Sequence, residues 1–173
     1  MMPGFYWLID GALAGCSRPG EPPRGQQRPQ RGDTWNEAER LEALDRDLAW
    51  LRGRGIGALL SLTETPLDEA ALARHELHTL HLPIADMTAP SPEQFMHALA
   101  FIDRQRMSGR AVVVHCLVGQ GRTGSILAAY RIRTGASPAA ALRELRAICP
   151  GAVENPTQER ALQAFAARQD WIV

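Results

Sequence analysis

Residues 111–124, AVVVHCLVGQGRTG, decide the fold of this 173-residue chain. The valines predict a short buried β-strand over 111–115, and the glycines at 119 and 121 permit a tight turn. After the turn, the sequence predicts a helix over 123–134 that ends at Gly135. A buried strand, a glycine-containing turn and a helix in this order are typical of an α/β sheet.

The flanking sequence supplies strands and helices in alternation. Apolar runs predict two short strands within 5–14 around an Asp10-Gly11 turn, and further strands over 56–62 and 77–82. Helices are predicted over 36–53, with a capping box from Thr34 to Glu37, and over 66–76, 91–107, 137–148 and 155–171. We therefore predict a single three-layer α/β/α domain over 1–173, with helices on both faces of a mainly parallel sheet. Ligands bind such sheets at the carboxyl ends of the strands, where the 116–122 turn lies.

The composition excludes several classes of protein. Hydrophobic residues make up 45% of the chain and charged residues 22%, which is typical of a globular domain. The 19 cations, all of them Arg, balance 19 acids, so the net charge is zero. This balance argues against a stable nucleic-acid partner or a polybasic membrane binder. No apolar run is long enough to suggest a membrane span.

Cysteine usage and one unusual segment set the expected environment. Cys16, Cys116 and Cys149 are too far apart for a disulfide framework or a zinc motif, so we expect a reducing, cytoplasmic location. The Leu-Ala-Gly-Cys run ending at Cys16 is similar to a lipoprotein cleavage box, but a short hairpin is the favoured interpretation. Residues 17–33, rich in Pro, Gly and Arg, predict an exposed loop.

The turn after the valine strand carries the chemistry. A turn of this kind can direct several backbone amides inward, and the helix that follows adds the positive end of its dipole. Arg122 lies six residues after Cys116, and its planar guanidinium fits phosphate oxygens. The same positive field stabilises a thiolate. We therefore expect Cys116 to attack a phosphoryl group bound in the turn.

At these residues the chain resembles the cysteine-dependent protein phosphatases, whose signature is His-Cys, five residues, Arg, and Ser or Thr. Residues 6–15, 61–64, the loop around Asp86 and residues 154–159 are similar to the small atypical dual-specificity phosphatases. The resemblance implies a protein tyrosine phosphatase-like fold and a phosphocysteine intermediate. It also implies that phosphate, sulfate or vanadate binds in the loop, held by Leu117, Val118, Gly119, Gln120, Gly121 and Arg122.

The resemblance also implies roles for residues around the loop. Thr123 would stabilise the departing thiolate, and His115 would order the loop, although a buried structural histidine fits His115 equally well. Asp86, on a loop over 83–90 that we call the acid loop, is the candidate general acid, with a simple turn residue as the alternative. Gln158 would position water, or would complete a helix cap. Glu64 would hydrogen-bond near the loop or cap the turn before Pro66, and we favour the cap.

The sequence leaves the substrate open. Neutral Leu117, Val118 and Gln120 favour phosphotyrosine, with phosphoserine or phosphothreonine, on proteins or peptides over inositol lipids. The alternatives are a phosphoinositide or RNA 5′-phosphatase of the same superfamily, a phosphate-binding pseudoenzyme, and a sulfurtransferase or arsenate reductase. We expect a monomer that needs neither cofactor nor metal. His75, His78 and His81 span a predicted helix end and strand, so they should not converge on one metal ion.

Overall fold

The computed structural model describes residues 2, 4–21 and 36–168. Five strands are present in this part of the chain: β1 (Tyr6–Ile9), β2 (Leu13–Cys16), β3 (Ile56–Ser61), β4 (His78–His81) and β5 (Ala111–His115). The helices are α1 (Glu37–Gly53), α2 (Glu69–Arg74), α3 (Pro92–Met107), α4 (Gly121–Arg133), α5 (Pro138–Ile148) and α6 (Pro156–Ala167). The predicted alternation of strands and helices is confirmed.

The strands form one mixed sheet in the order β1-β2-β5-β3-β4. Strands β2, β5, β3 and β4 run parallel, while β1 pairs antiparallel with β2 through a short hairpin. The valine strand β5 therefore lies at the centre of the sheet and is buried along its whole length. Because β2, β3 and β5 are parallel, Cys16, Ser61 and His115 all lie at the same edge.

Side chains that alternate along the central strands fill two cores. Leu59 and Val113 point to one face and pack with α1 and α2. Leu60 and Val114 point to the other and pack with α3, α4, α5 and α6. This alternation follows from the two-residue period of a strand, and it produces the predicted three-layer α/β/α fold.

Helix caps explain where most of the helices begin. Ser91 and Gln94 form the expected capping box at α3, with Pro92 in the first turn. At α1 the predicted capping box is wrong. The side chain of Asn36 accepts a hydrogen bond from the Glu39 amide, and the Glu39 carboxylate accepts one from the Asn36 amide. Thr34, the predicted cap, lies outside the described residues.

The predicted bounds differ at further places. Helix α2 spans Glu69–Arg74 rather than 66–76, because Asp68 caps it by accepting from the Ala71 amide, and α4 begins at Gly121 rather than at 123. The last helix ends at Ala167 rather than near 171.

The exposed loop predicted from residue 17 is wrong at its start, because Pro19 and Gly20 are buried. The Gly20 amide donates to Asp47 of α1 at 2.9 Å, which draws this segment onto the helix. Residues 22–33 of the loop lie outside the described residues.

The hairpin at the start of the chain is confirmed, and the Leu-Ala-Gly-Cys run forms β2, which is buried throughout. Across the described ranges, we find no helix that is both long enough and apolar enough to cross a membrane.

A core substitution tests the two-core arrangement. Leu59 of β3 is fully buried on the face of the sheet that α1 covers. Leu59→Ala should therefore lower the free energy of unfolding by about 2–5 kcal/mol. Met107, 88% exposed at the end of α3, is the control, and Met107→Ala should change it by less than about 0.5 kcal/mol. Urea unfolding followed by circular dichroism measures both, and equal small effects would contradict the assignment.

Candidate active site

The backbone of residues 116–122 forms a loop whose carbonyl oxygens are bound by donors outside it. Cys116 O accepts from the His115 ring at 3.2 Å, Leu117 O from the amide of Arg18 at 3.1 Å, and Gly119 O from the Tyr6 hydroxyl at 2.9 Å. Gln120 O accepts from the amides of Gly124 and Val153. With these carbonyls held outward, the intervening amides are free to face the centre of the loop.

Glycines permit close contact between this loop and its neighbours. Gly119 has φ of +81°, and a side chain there would lie only 2.5 Å from the backbone of Cys16 in β2. Gly121 packs against the side chains of Glu154 and Gln158 with no room for a Cβ. A larger residue at position 119 would therefore displace the loop or the segment against it, whereas one at position 121 would require the ends of the Glu154 and Gln158 side chains to shift.

Cys116 lies at the start of the loop and is almost fully buried. Its Sγ accepts from the Gly119 amide at 3.3 Å, a contact that favours a negative sulfur. The first amides of α4 have no partner within the helix, and they point toward the same region. By contrast, burial raises the pKa of the Cys16 and Cys149 thiols, which keeps both protonated.

Arg122 joins the loop to two other segments. Its side chain is 2% exposed, and its guanidinium donates to Ile84 O at 2.8 Å, to Glu64 Oε2 at 3.1 Å and to Asp86 Oδ1 at 2.7 Å. Glu64 Oε1 in turn accepts from the Asp86 amide at 2.9 Å. This amide, together with Arg122, lowers the pKa of Glu64. The structure thus places Arg122 and Asp86 together, as the sequence predicted.

The acid loop carries Asp86 on a tight turn. The Thr88 amide donates to Ala85 O at 3.2 Å, and the Thr88 hydroxyl donates to the same oxygen at 2.7 Å. Met87, in the third position of this turn, has φ of +60°, a conformation that favours glycine or asparagine. Such a backbone persists in a methionine only where the surrounding contacts hold it.

Gln158 lies at the start of α6 and is fully buried. Its backbone amide donates to Asn155 Oδ1 at 3.0 Å as part of the helix cap, while its side-chain Nε2 donates to Thr88 O at 3.1 Å. Its Oε1 accepts from the Glu154 amide at 2.8 Å. The side chain therefore does not complete a capping box with Asn155. It instead lies between the 116–122 loop and the acid loop.

His115 and Thr123 are buried on either side of the loop. Burial lowers the pKa of His115 to about 3, so the ring is neutral near pH 7. Its Nδ1 donates to Cys116 O, which means that His115 would order the loop by a hydrogen bond and not by its charge. Within the described residues, neither His115 Nε2 nor Thr123 Oγ1 has a hydrogen-bond partner. The role of Thr123 with the thiolate stays a prediction.

Known proteins share this arrangement of loop and sheet. Residues 35–136, more than half of the chain, match the family model "Polymorphic toxin system, DSP-PTPase phosphatase". The chain belongs to this family of phosphatases. It is a cysteine phosphatase of the small atypical dual-specificity type.

Two curated relatives have related names. The chain is 28% identical over 129 residues to phosphatidylglycerophosphate phosphatase PTPMT2 of Arabidopsis thaliana, covering 72% of this chain and 57% of the relative. It is 33% identical over 122 residues to human dual specificity protein phosphatase 12, covering 68% of this chain and 35% of the relative. The chain thus spans between a third and three fifths of the length of these relatives.

Solved structures share the fold of this phosphatase. The active form of Tk-PTP superimposes with a TM-score of 0.76 at 28% identity, covering 97% of this chain and 99% of that one. PTPMT1 superimposes with a TM-score of 0.71 at 19% identity, covering 94% and 93% of the two chains. The predicted protein tyrosine phosphatase-like fold is confirmed.

Sequence reasoning missed one residue at the site and favoured the wrong role for another. Of the two roles weighed for Glu64, the favoured turn cap is wrong, because its carboxylate binds Arg122 and the Asp86 amide. Its position just beyond β3, at the edge where ligands bind, was the available signal. Asn155 appeared only as a helix start, yet its Nδ2 donates to Met87 O of the acid loop at 2.9 Å.

The three histidines near α2 and β4 serve separate contacts. The His75 ring bonds to Asp45, and the His81 ring bonds to the carbonyl of Thr63, while His78 is exposed.

The neutral, buried His115 predicts a specific dependence of stability on pH. Its pKa is about 3 in the folded state and about 6.5 in the unfolded state, so only the unfolded state gains this proton between those values. The free energy of unfolding should therefore be highest above pH 6.5 and should decrease by about 2 kcal/mol as the pH is lowered from 7 to 5.

Urea unfolding at several pH values measures this effect. His115→Gln should remove the dependence between pH 7 and pH 5, whereas His97→Gln, at an exposed position of α3, should leave it unchanged. A native protein of constant stability from pH 7 to pH 5 would contradict the prediction.

Proposed function

We propose that this phosphatase hydrolyses phosphate monoesters on phosphotyrosine, and on phosphoserine or phosphothreonine, of proteins or peptides through a phosphocysteine intermediate. The observation that carries the proposal is the arrangement around Cys116, whose sulfur lies in a loop with outward-held carbonyls beside Arg122 and Asp86. The proposal places the enzyme in the cytoplasm as a monomer, where its thiols stay reduced.

In the first step, the Cys116 thiolate attacks phosphorus, the S–P bond forms and the bond to the leaving oxygen breaks. Arg122 and the amides of the 116–122 loop bind the equatorial oxygens as charge develops on them. Substrate oxygens would replace Asp86 on Arg122 Nη2, leaving the Asp86 carboxyl beside the cleft. Asp86 then gives its proton to the leaving alkoxide or phenoxide.

In the second step, water hydrolyses the phosphocysteine. Asp86, now ionised, takes a proton from the water as its oxygen attacks phosphorus. The S–P bond breaks, and inorganic phosphate and the Cys116 thiolate are released. The proposed role of Gln158 in holding this water requires its Nε2 to leave Thr88 O, the acceptor that it binds in the structure.

The charges around Arg122 favour a substrate with a single phosphate. Glu64 and Asp86, each about half-exposed, both bind this buried guanidinium. The 116–122 loop carries no other charged side chain. Additional phosphates on an inositol lipid or a triphosphorylated RNA would lie near these carboxylates without a matching cation in the loop, which is unfavourable.

A phosphatidyl-type lipid is the second candidate. The relative PTPMT2 is named a phosphatidylglycerophosphate phosphatase and aligns over 72% of this chain. Two apolar side chains at the site, Leu117 and Met87, are 38% and 56% exposed and could contact lipid or the ring of a phosphotyrosine.

Replacing the nucleophile tests the reaction. Cys116→Ser should lower the hydrolysis of p-nitrophenyl phosphate by at least about 10⁴-fold, because the hydroxyl is a far weaker nucleophile than the thiolate. Vanadate should still raise the melting temperature of this variant, since the loop and Arg122 remain. Cys149→Ser is the matched control and should retain activity. Turnover by Cys116→Ser at the native rate would overturn the proposal.

A comparison of substrates separates the two candidate substrate classes. We expect the highest kcat/KM for phosphotyrosine peptides, in a panel that includes phosphoserine and phosphothreonine peptides, phosphatidylglycerophosphate, an inositol lipid and a triphosphorylated RNA. Leu117→Lys adds a cation to the loop and should raise the rate for the inositol lipid relative to the peptide by a few fold. A wild-type preference for either lipid or for RNA would contradict the peptide assignment.

A further inference from the structure

The N-terminus of α6 is bound directly to the acid loop by two side-chain amides. Asn155 Nδ2 donates to Met87 O at 2.9 Å, and Gln158 Nε2 donates to Thr88 O at 3.1 Å. Both acceptors belong to the two residues that directly follow Asp86. Asn155 is partly exposed, and its bond to Met87 O lies at the surface.

Asn155 performs two tasks with its two side-chain atoms. Its Oδ1 accepts from the Gln158 amide and caps α6, while its Nδ2 holds the carbonyl of Met87. A helix cap needs only the oxygen, and serine or aspartate would serve equally well there. The nitrogen is therefore the atom that the acid loop requires.

The backbone that Nδ2 holds is strained. Met87 has φ of +60°, a left-handed conformation that is unfavourable for a residue with a Cβ. If the bond to Met87 O were lost, the turn would relax toward ordinary backbone angles. Asp86, the residue before Met87 in the same turn, would then move away from Arg122.

The opposite side of the acid loop is held by different groups. Arg122 binds the carbonyl of Ile84, and Glu64 binds the amide of Asp86. Asp86 is therefore placed between two sets of contacts, one from Arg122 and from Glu64 beyond the end of β3, and the other from the start of α6. Asn155 belongs to the second set, and it does not touch Arg122.

We propose that Asn155 is a positioning residue, which holds Asp86 in place for proton transfer by binding the carbonyl of Met87. The inference rests on the proposed function, in which Asp86 is the general acid. The two hydrogen bonds of the Asn155 side chain go to Met87 O and to the Gln158 amide, and Asn155→Asp and Asn155→Ser are chosen because they keep the second.

Asn155→Asp separates the two tasks of this side chain. The carboxylate keeps the cap and suits the positive end of the helix dipole, but it cannot donate to Met87 O. We expect the melting temperature to be unchanged or raised and kcat/KM for a phosphotyrosine peptide to fall about 10-fold, within the range that a general acid contributes. Because kcat/KM reports the first step alone, kcat/KM for an aryl phosphate with an acidic phenol should remain within about twofold of the native value.

Two further variants check that the effect does not come from helix stability. Asn155→Ser also keeps a preferred cap and loses the donor, so it should behave like Asn155→Asp. Ser137→Ala removes the cap of α5, where Ser137 accepts from the Ala140 amide, and has no contact with the acid loop. It should lower the melting temperature by about 2–4 °C and leave the dependence on the leaving group unchanged.

A double-mutant cycle with Asp86→Ala decides the matter. Asp86→Ala alone should slow poor leaving groups most, and adding Asn155→Asp should then cause no further loss, because the group that Asn155 positions is absent. The inference is overturned if the two effects on kcat/KM multiply, or if Asn155→Asp lowers kcat/KM equally for all leaving groups. An Asp86→Ala variant without dependence on the leaving group would overturn it too.

The Cys116→Ser result separates this inference from the proposed function. If Cys116→Ser is inactive and the cycle is additive, the phosphocysteine reaction stands and Asn155 is only a helix cap. If Cys116→Ser is active, the proposed function itself is wrong.

Discussion

The 116–122 loop depends on donors that bind its carbonyl oxygens from outside. The Tyr6 hydroxyl, the Arg18 amide, the His115 ring and the Val153 amide come from four separate parts of the chain. Without them, some carbonyls would turn inward and repel an anion. The amides, the nearby sulfur of Cys116 and the start of α4 form one electropositive site because the rest of the fold binds these oxygens.

Burial of Arg122 is the second constraint, and it links the loop to the rest of the site. A guanidinium that is 2% exposed must find partners for its donors, and here it finds two carboxylates and a carbonyl. Its planar geometry lets it bind the end of β3 and the acid loop at the same time. A lysine in its place could not, because its single ammonium group lacks the two sets of N–H donors that the guanidinium directs to different sides.

Local sequence patterns explain much of the fold. The valine strand β5 and the hairpin of β1 and β2 were predicted from the sequence, because each depends only on neighbouring residues. The cap of α1 was misplaced because two overlapping patterns, Thr34 with Glu37 and Asn36 with Glu39, both satisfy the capping-box spacing. The early 17–33 segment was predicted as exposed because its contact with Asp47 of α1 cannot be seen in its own composition.

The sequence by itself determined that a strand, a glycine turn and a helix place Cys116 and Arg122 together, because this spacing is local and the turn leaves little freedom. It also indicated Asp86 and Gln158 through the resemblance. Only the tertiary structure decided that Glu64 binds Arg122 and that Asn155 binds the acid loop. These contacts join residues 58 and 68 positions apart. No local pattern encodes them, because they exist only after parallel strands bring the ends of distant segments to one edge of the sheet.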